Sequence, residues 1–258
     1  MNPNISPELR SADFRQILGI RFFVGGARHA IHLLQNGGLL VVPAAPALKN
    51  LAEDHGYREA LLGADVAIAD SGLMVMIWNL VQKDHIRRLS GLKYLRELLK
   101  VPDIREPGRS LWIMPNPTSA TTNLAWLGRH GIDVSPDDVY VAPMYGEVIE
   151  DEVLLEKIRK RRPTHVVVTI GGGTQERLGL YLKNNLSPVP AIHCLGAAIA
   201  FLSGDQVRIP RWADRFYLGW LFRCISEPKR FVPRYWSARK LIGLMLRYRE
   251  ALPETSSK

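Results

Sequence analysis

Cysteine is almost missing from this chain. Its 258 residues include only Cys194 and Cys224. Two isolated cysteines give neither a disulfide framework nor a zinc-binding spacing, and they point to a reduced, cytosolic setting. Long apolar runs are missing as well. Spanning a bilayer takes ~20 consecutive apolar residues. The best candidates, 38–48 and 194–202, are short, and Pro43 and Pro46 interrupt the first. The opening stretch MNPNISPELRSADF lacks the apolar centre of a secretory signal, and neither end carries a lipidation motif. Any membrane contact is therefore expected to be peripheral. Several catalytic signatures are absent too. No glycine-rich loop ends in Gly-Lys-Ser/Thr, and there is no Gly-x-Ser-x-Gly elbow. His29 and His32 share a helix face, but no carboxylate or cysteine completes a metal set. The expectation is a protein with no metal and no cofactor.

What the chain does have is an uneven charge. Of its formal net charge of +9, residues 206–258 supply +8, from 12 Lys/Arg against 4 Asp/Glu. The same stretch holds Trp212, Trp220 and Trp236, three of the six tryptophans. Arginines interleaved with Trp, Tyr and Leu suit a surface that is anionic and greasy at once, such as a phospholipid headgroup layer. A polynucleotide is the competing partner, since Lys and Arg neutralise phosphates there too. No recognised nucleic-acid motif is present, so the anionic membrane surface is preferred, with Trp212, Trp220, Phe222 and Trp236 as docking side chains. Arg223, Arg230 and Arg234 are spaced by 7 and then 4. They share one face of a continuous helix, or converge around a turn if Pro228 and Pro233 break it. The bland alternative, a solvated basic face, fits poorly with Trp220, Phe222, Phe231, Tyr235 and Trp236 among the charges.

Before residue 206 the pattern is different. Short Val/Ile/Leu-rich runs alternate with amphipathic stretches. Strands are predicted at 17–24, 39–42, 65–69, 110–114, 138–142, 165–170 and 191–195. Helices are predicted at 26–35, 47–62, 73–82, 92–100, 120–130, 151–160 and 175–184. Ser119 or Thr118 could cap the 120–130 helix. Continuous apolar strands are those buried on both faces, so the expected fold is α/β, a mostly parallel Rossmann-like sheet flanked by helices. Residues 1–205 would form this α/β domain. Residues 206–258 would form a basic helical appendage, with helices at 212–225 and 235–249.

In such sheets ligands sit beyond the carboxyl ends of the strands, and three strand ends stand out. One is Val41-Val42-Pro43-Ala44-Ala45-Pro46. The second, Ala69-Asp70-Ser71-Gly72, closes a strand with a carboxylate. Asp70 either caps the next helix or does chemistry. The third runs Gly171-Gly172-Gly173-Thr174-Gln175-Glu176. Its glycines either make a tight turn or let backbone N–H groups approach an anion at a helix N-terminus.

The order of these pieces resembles the WecG/TagA/CpsF family of bacterial glycosyltransferases, from about Ile17 to Leu246. The most specific stretch is Arg208-x-Pro210-x-Trp212, then Gly219-Trp220-Leu221-Phe222-Arg223, Glu227-Pro228-Lys229-Arg230 and Arg234-Tyr235. Upstream, Ala64-Asp65-Val66 through Asp70, Arg88-x-x-Gly91, and Gly171 with Gln175-Glu176 resemble the remaining family blocks. The resemblance implies a hexosyltransferase-type enzyme: inverting, metal-independent transfer of an N-acetylmannosamine-type sugar from a UDP donor. The implied acceptor is a sugar on undecaprenyl diphosphate, at the inner face of the cell membrane, in surface polysaccharide assembly. It also implies Asp70 as general base, and Arg223 and Arg230, with Arg234, as neutralisers of the leaving diphosphate. The nucleotide sugar would contact Pro43, Ala45, Arg88, Gly91 and the turn Gly171, Gly172, Gly173, Thr174, Gln175 and Glu176. Self-association is left open. The chain departs from the family pattern in several places. Pro43 and Ala45 stand where Thr-x-Asn is usual, Ser71 follows Asp70 in place of Gly, and Gly173-Thr174 replaces Pro-Lys. Lys93 stands in place of an acidic residue, and Gly219 in place of Glu. These changes keep a non-catalytic UDP-sugar- or lipid-binding protein on the same fold as the alternative.

Overall fold

The computed structural model describes residues 13–206 and 219–255, with only the backbone at Gly219, Arg230 and Arg234. Trp212 and the Arg208–Trp212 part of the family pattern lie outside the described residues.

Eight strands form one sheet: β1 (Phe14–Ile17), β2 (Ile20–Phe23), β3 (Gly38–Val41), β4 (Val66–Ile68), β5 (Ser110–Met114), β6 (Val139–Val141), β7 (His165–Val168) and β8 (Ala191–Cys194). Their spatial order is β1-β2-β4-β3-β8-β7-β5-β6. Only the β1–β2 pair is antiparallel; every other pairing is parallel. The α-helices described before residue 206 are α1 (Ala27–His32), α2 (Ala45–Leu48), α3 (His55–Leu62), α4 (Gly72–Gln82), α5 (Gly91–Leu98), α6 (Pro102–Arg105), α7 (Pro117–Arg129), α8 (Glu152–Arg161), α9 (Thr174–Asn185) and α10 (Ala198–Ser203).

Alternate residues of the central strands feed two separate cores, as the period of two in a strand requires. Leu39, Val41, Leu111, Ile113, Val166 and Val168 pack on one face, with side chains from α2, α3, α4, α8 and α9. Leu40, Val42, Trp112, Met114 and Val167 pack on the other, with α1, α5, α6, α7 and α10. Burial on both faces explains the unbroken apolar runs and confirms the α/β expectation.

Three local expectations are corrected. The single strand expected at 17–24 is a hairpin. Leu18 and Gly19 form its two-residue turn with φ of 51° and 75°, the positive-φ geometry that suits strand twist. The helix expected at 47–62 is two, because the Asp54 carboxylate accepts from the Tyr57 N–H (2.9 Å) and caps α3. The α7 cap is Asn116, not Ser119 or Thr118. Its Oδ1 accepts from the Ser119 N–H at 2.8 Å, and Pro117 occupies the first turn.

The basic tail forms three described helices, Gly219–Ser226, Pro228–Ser237 and Lys240–Tyr248. The expected interruption at Glu227-Pro228 is present: one helix ends at Ser226 and Pro228 opens the next, in the first turn where its missing N–H costs nothing, whereas Pro233 makes no break and is carried inside that second helix. The change at 205/206 is one of charge. The packing is shared: Ala238, Leu241 and Met245 are buried in the same core as Leu48, Trp78 and Val41. After the third tail helix the chain returns to the first hairpin, where the Leu18 and Gly19 N–H groups donate to the carbonyls of Arg249 and Glu250, both at 2.8 Å.

A Cβ on Gly19 would lie 2.5 Å from the Leu252 Cβ and 2.8 Å from its Cα. Gly19→Ala therefore combines a strained positive φ with a backbone clash. It is expected to cost about 1–3 kcal/mol, read as a lowered urea midpoint; an unchanged midpoint would show that this junction yields freely.

A buried polar chain ties α5 to the sheet. Tyr94 Oη lies 2.9 Å from His193 Nδ1, and His193 Nε2 lies 3.0 Å from His165 Nδ1. With both imidazoles neutral, each of these links holds one proton. Burial holds both below the ordinary imidazole value. For His193 the neighbouring His165 adds to this; for His165 the Asp103 carboxylate opposes it and Arg109 reinforces it. Below the ordinary value of about 6.5 the unfolded chain takes up protons that the folded chain refuses. Stability is therefore full above pH ~6.5 and declines as pH falls, by up to about 1.4 kcal/mol per pH unit for each histidine. Urea midpoints at pH 7.5 and 5.5 test this. His193→Gln should flatten the decline, and an equal decline in that variant would assign it elsewhere.

Candidate active site

The carboxyl ends of β3, β4, β5, β7 and β8 all open into one cavity of about 1190 Å³, where open α/β sheets place their ligands. Val42 and Ala45 follow β3, Asp70 follows β4, Pro115 and Asn116 follow β5, Thr169 to Gly172 follow β7, and Leu195 to Ala198 follow β8.

Asp70 does not cap the next helix. Ser71 does, its Oγ accepting from the Met74 N–H at 3.1 Å. The Asp70 Oδ1 instead accepts from the Gly91 N–H (3.1 Å), the first amide of α5, and from Arg88 Nη2 (3.2 Å). Arg88 Nε also donates to the Asp70 carbonyl at 2.5 Å. Ser90 caps α5 by accepting from the Lys93 N–H. The carboxylate is thus fixed from one side by a guanidinium and the first amide of a helix. Its Oδ2 makes no hydrogen bond among the described residues. Arg88 and Gly91 line the cavity beside it.

The glycine turn joins β7 to α9. Gly173, with φ of 93°, is the α9 N-cap, and its N–H donates to Glu176 Oε2 at 2.6 Å. A Cβ at Gly171 or Gly172 would meet nothing within 4 Å, so packing does not demand glycine at either position; their bareness leaves room at the cavity edge. Gln175 and Glu176 are buried and brace the turn. Gln175 Nε2 donates to Glu176 Oε1 (3.0 Å), and Gln175 Oε1 accepts from the Gly196 N–H (2.6 Å), linking the β7 and β8 turns. Burial raises the Glu176 carboxyl above its ordinary value, against the hydrogen bonds it accepts. Gly173 and Thr174 face a smaller neighbouring pocket with Asn50, Asp54 and Arg177. Pro43 is buried and does not line the cavity, whereas Ala45 does.

From the tail, Arg223 reaches the wall. Its guanidinium stacks over Phe201 of α10 at 4.4 Å, and Nη1 donates to Tyr235 Oη at 2.9 Å. Its Nε is buried without a hydrogen-bond partner among the described residues. Trp220 and Trp236 also line the cavity; Phe222 does not. Arg230 and Arg234 lie on the second tail helix, and their side chains are outside the described residues. The structure thus brings Asp70, Arg88, Gly91, Gly171, Gly172, Gln175, Glu176 and Arg223 around one space. Among the described residues no three His, Cys, Asp or Glu gather to hold a metal ion.

Sequence reasoning missed a polar wall of Asn116, Ser119, Asn123 and Thr169 on the same cavity. Asn123 is buried and accepts from Ser203 Oγ at 2.6 Å. The available signal was Asn116-Pro117, a helix start directly after a strand.

A sequence model described as Glycosyl transferase WecG/TagA/CpsF family matches residues 15–255. The protein is a glycosyltransferase, and it belongs to the WecG/TagA/CpsF family. Two similar curated proteins are each named N-acetylglucosaminyldiphosphoundecaprenol N-acetyl-beta-D-mannosaminyltransferase. The one from Bacillus spizizenii is 26% identical over 216 residues, covering 80% of this chain and 80% of the relative. The one from Bacillus subtilis is 24% identical over 189 residues, covering 71% of each.

Proposed function

We propose that this protein moves an N-acetylmannosamine-type sugar from UDP to a sugar on undecaprenyl diphosphate, with inversion and without a metal ion. It works at the anionic inner face of the cell membrane, in surface polysaccharide assembly. The observation that carries the reading is the Asp70 carboxylate, held by Arg88 and the α5 N-terminus at the edge of a cavity that Arg223 also lines. Asp70 takes the proton of the acceptor hydroxyl as that oxygen bonds to the anomeric carbon. The bond from that carbon to the diphosphate oxygen breaks on the opposite face, and the electron pair leaves with UDP. Arg223, joined by Arg230 and Arg234, offsets the charge that develops there. The named activity of the two relatives supports the acceptor and the sugar. No helix among the described residues is long and apolar enough to cross a membrane, which is compatible with a peripheral attachment.

The test is transfer itself. Purified protein, UDP-N-acetylmannosamine and an N-acetylglucosaminyl-diphospho-polyprenol should release UDP and give an inverted linkage, in the presence of a chelator. Calorimetric UDP binding with no transfer to any acceptor would favour the non-catalytic alternative, which the apolar Pro43 and Ala45 keep open.

A further inference from the structure

We infer that the outer stripe of α4, Leu73, Met76 and Leu80, carries the isoprenoid chain of the acceptor as it leaves the cavity for the bilayer. This rests on the acceptor class proposed above and adds a path for its lipid portion. None of the 11 residues of α4 is charged. Met74, Val75, Ile77 and Trp78 bury its inner face in the core, yet its outer face is apolar too, with Met76 60% and Leu80 80% exposed. A helix apolar all round ordinarily lies buried or meets something apolar.

The position of the stripe selects the occupant. α4 begins two residues after Asp70. Leu73 and Met76 line the cavity, and Leu80, one turn beyond Met76, does not. With spacings of 3 and 4, the three form one continuous ridge from the cavity outwards. The opposite rim is also apolar. Val232 and Trp236, four apart on the second tail helix, are 47% and 67% exposed and line the cavity. The third tail helix lies against α4 and exposes Ile242 (38%) and Leu246 (54%). Basic groups border the strip. Lys83 ends α4, Arg239 stacks over Trp236 at 4.3 Å, and Lys240 is exposed. Residues 228–249 contain no Asp or Glu. An apolar channel leading from a carboxylate to a basic border fits a long hydrocarbon tethered to a diphosphate and continuing into an anionic membrane. A second copy of the same face would bring like charges together.

The experiment compares two acceptors in neutral-detergent micelles, one with the undecaprenyl chain and one with a short alkyl chain, using the full-length protein. Wild type should prefer the long chain. Leu80→Gln, at an exposed position, should lower long-chain kcat/KM by about tenfold through KM, leave short-chain kcat/KM within about twofold, and leave the urea midpoint unchanged; Leu80→Met should retain the preference. Equal loss on both acceptors, or an unchanged preference, overturns the inference while transfer still supports the enzyme. If wild type uses neither acceptor, the proposed function fails and this path fails with it. If sedimentation shows a wild-type dimer that Leu80→Gln dissociates without altering chain preference, the stripe is a contact between copies and the inference is overturned.

Discussion

Asp70→Asn should reduce kcat by about 10²–10⁴-fold, the range that positioned acid–base groups contribute, while UDP binding changes little. Asparagine is nearly isosteric and its Oδ1 can still accept from the Gly91 N–H, which Asp70 contacts at 3.1 Å. It cannot take a proton. The variant therefore separates holding from proton removal: the local frame stays and the chemistry stops. The measurement is single-turnover transfer together with calorimetric UDP affinity. Turnover within a few fold of wild type would remove Asp70 from the base role and leave it as a brace for α5.

Arg223→Ala should lower kcat by about 10²–10³-fold, equivalent to roughly 2.7–4 kcal/mol of transition-state stabilisation if the guanidinium meets the departing diphosphate. A purely structural role is also imaginable, because Arg223 stacks on Phe201 and donates to Tyr235. Two readouts divide the cases. Loss of diphosphate neutralisation lowers kcat, and Arg223→Lys recovers part of it, since the charge persists without the planar fork. Loss of packing lowers the urea midpoint, and Lys does not recover it. Wild-type kcat/KM in Arg223→Ala would refute the assignment.

Much of the sheet was legible because its strands are buried on both faces. Ser110–Met114 was predicted to the residue, as a buried run in which Leu111 to Met114 alternate between the two cores. What misled was local backbone detail. Leu18 is not a turn-forming residue, so the hairpin at Leu18-Gly19 was hidden inside one apolar run, and its partner in packing, Leu252, is distant in sequence. Pro233 read as a break because proline is unwelcome inside helices, yet the second tail helix carries it in its interior. At the site, the strand-ending carboxylate and the glycine turn were visible as local patterns. The reason Gln175 matters was not, because its partner, the Gly196 amide, arrives from another strand end. Nor could sequence separate the two fates of Asp70; the α4 cap is supplied by Ser71 instead.

The return of the chain to its first hairpin has a practical consequence. Arg249, Glu250 and Pro253 lend their carbonyls to Leu18, Gly19 and Arg58, so the segment carrying the positive charge doubles as a clasp on the edge of the sheet. Trimming it would also unfasten that edge. A variant with less positive charge is therefore better sought by replacing outward-facing basic side chains than by shortening the chain.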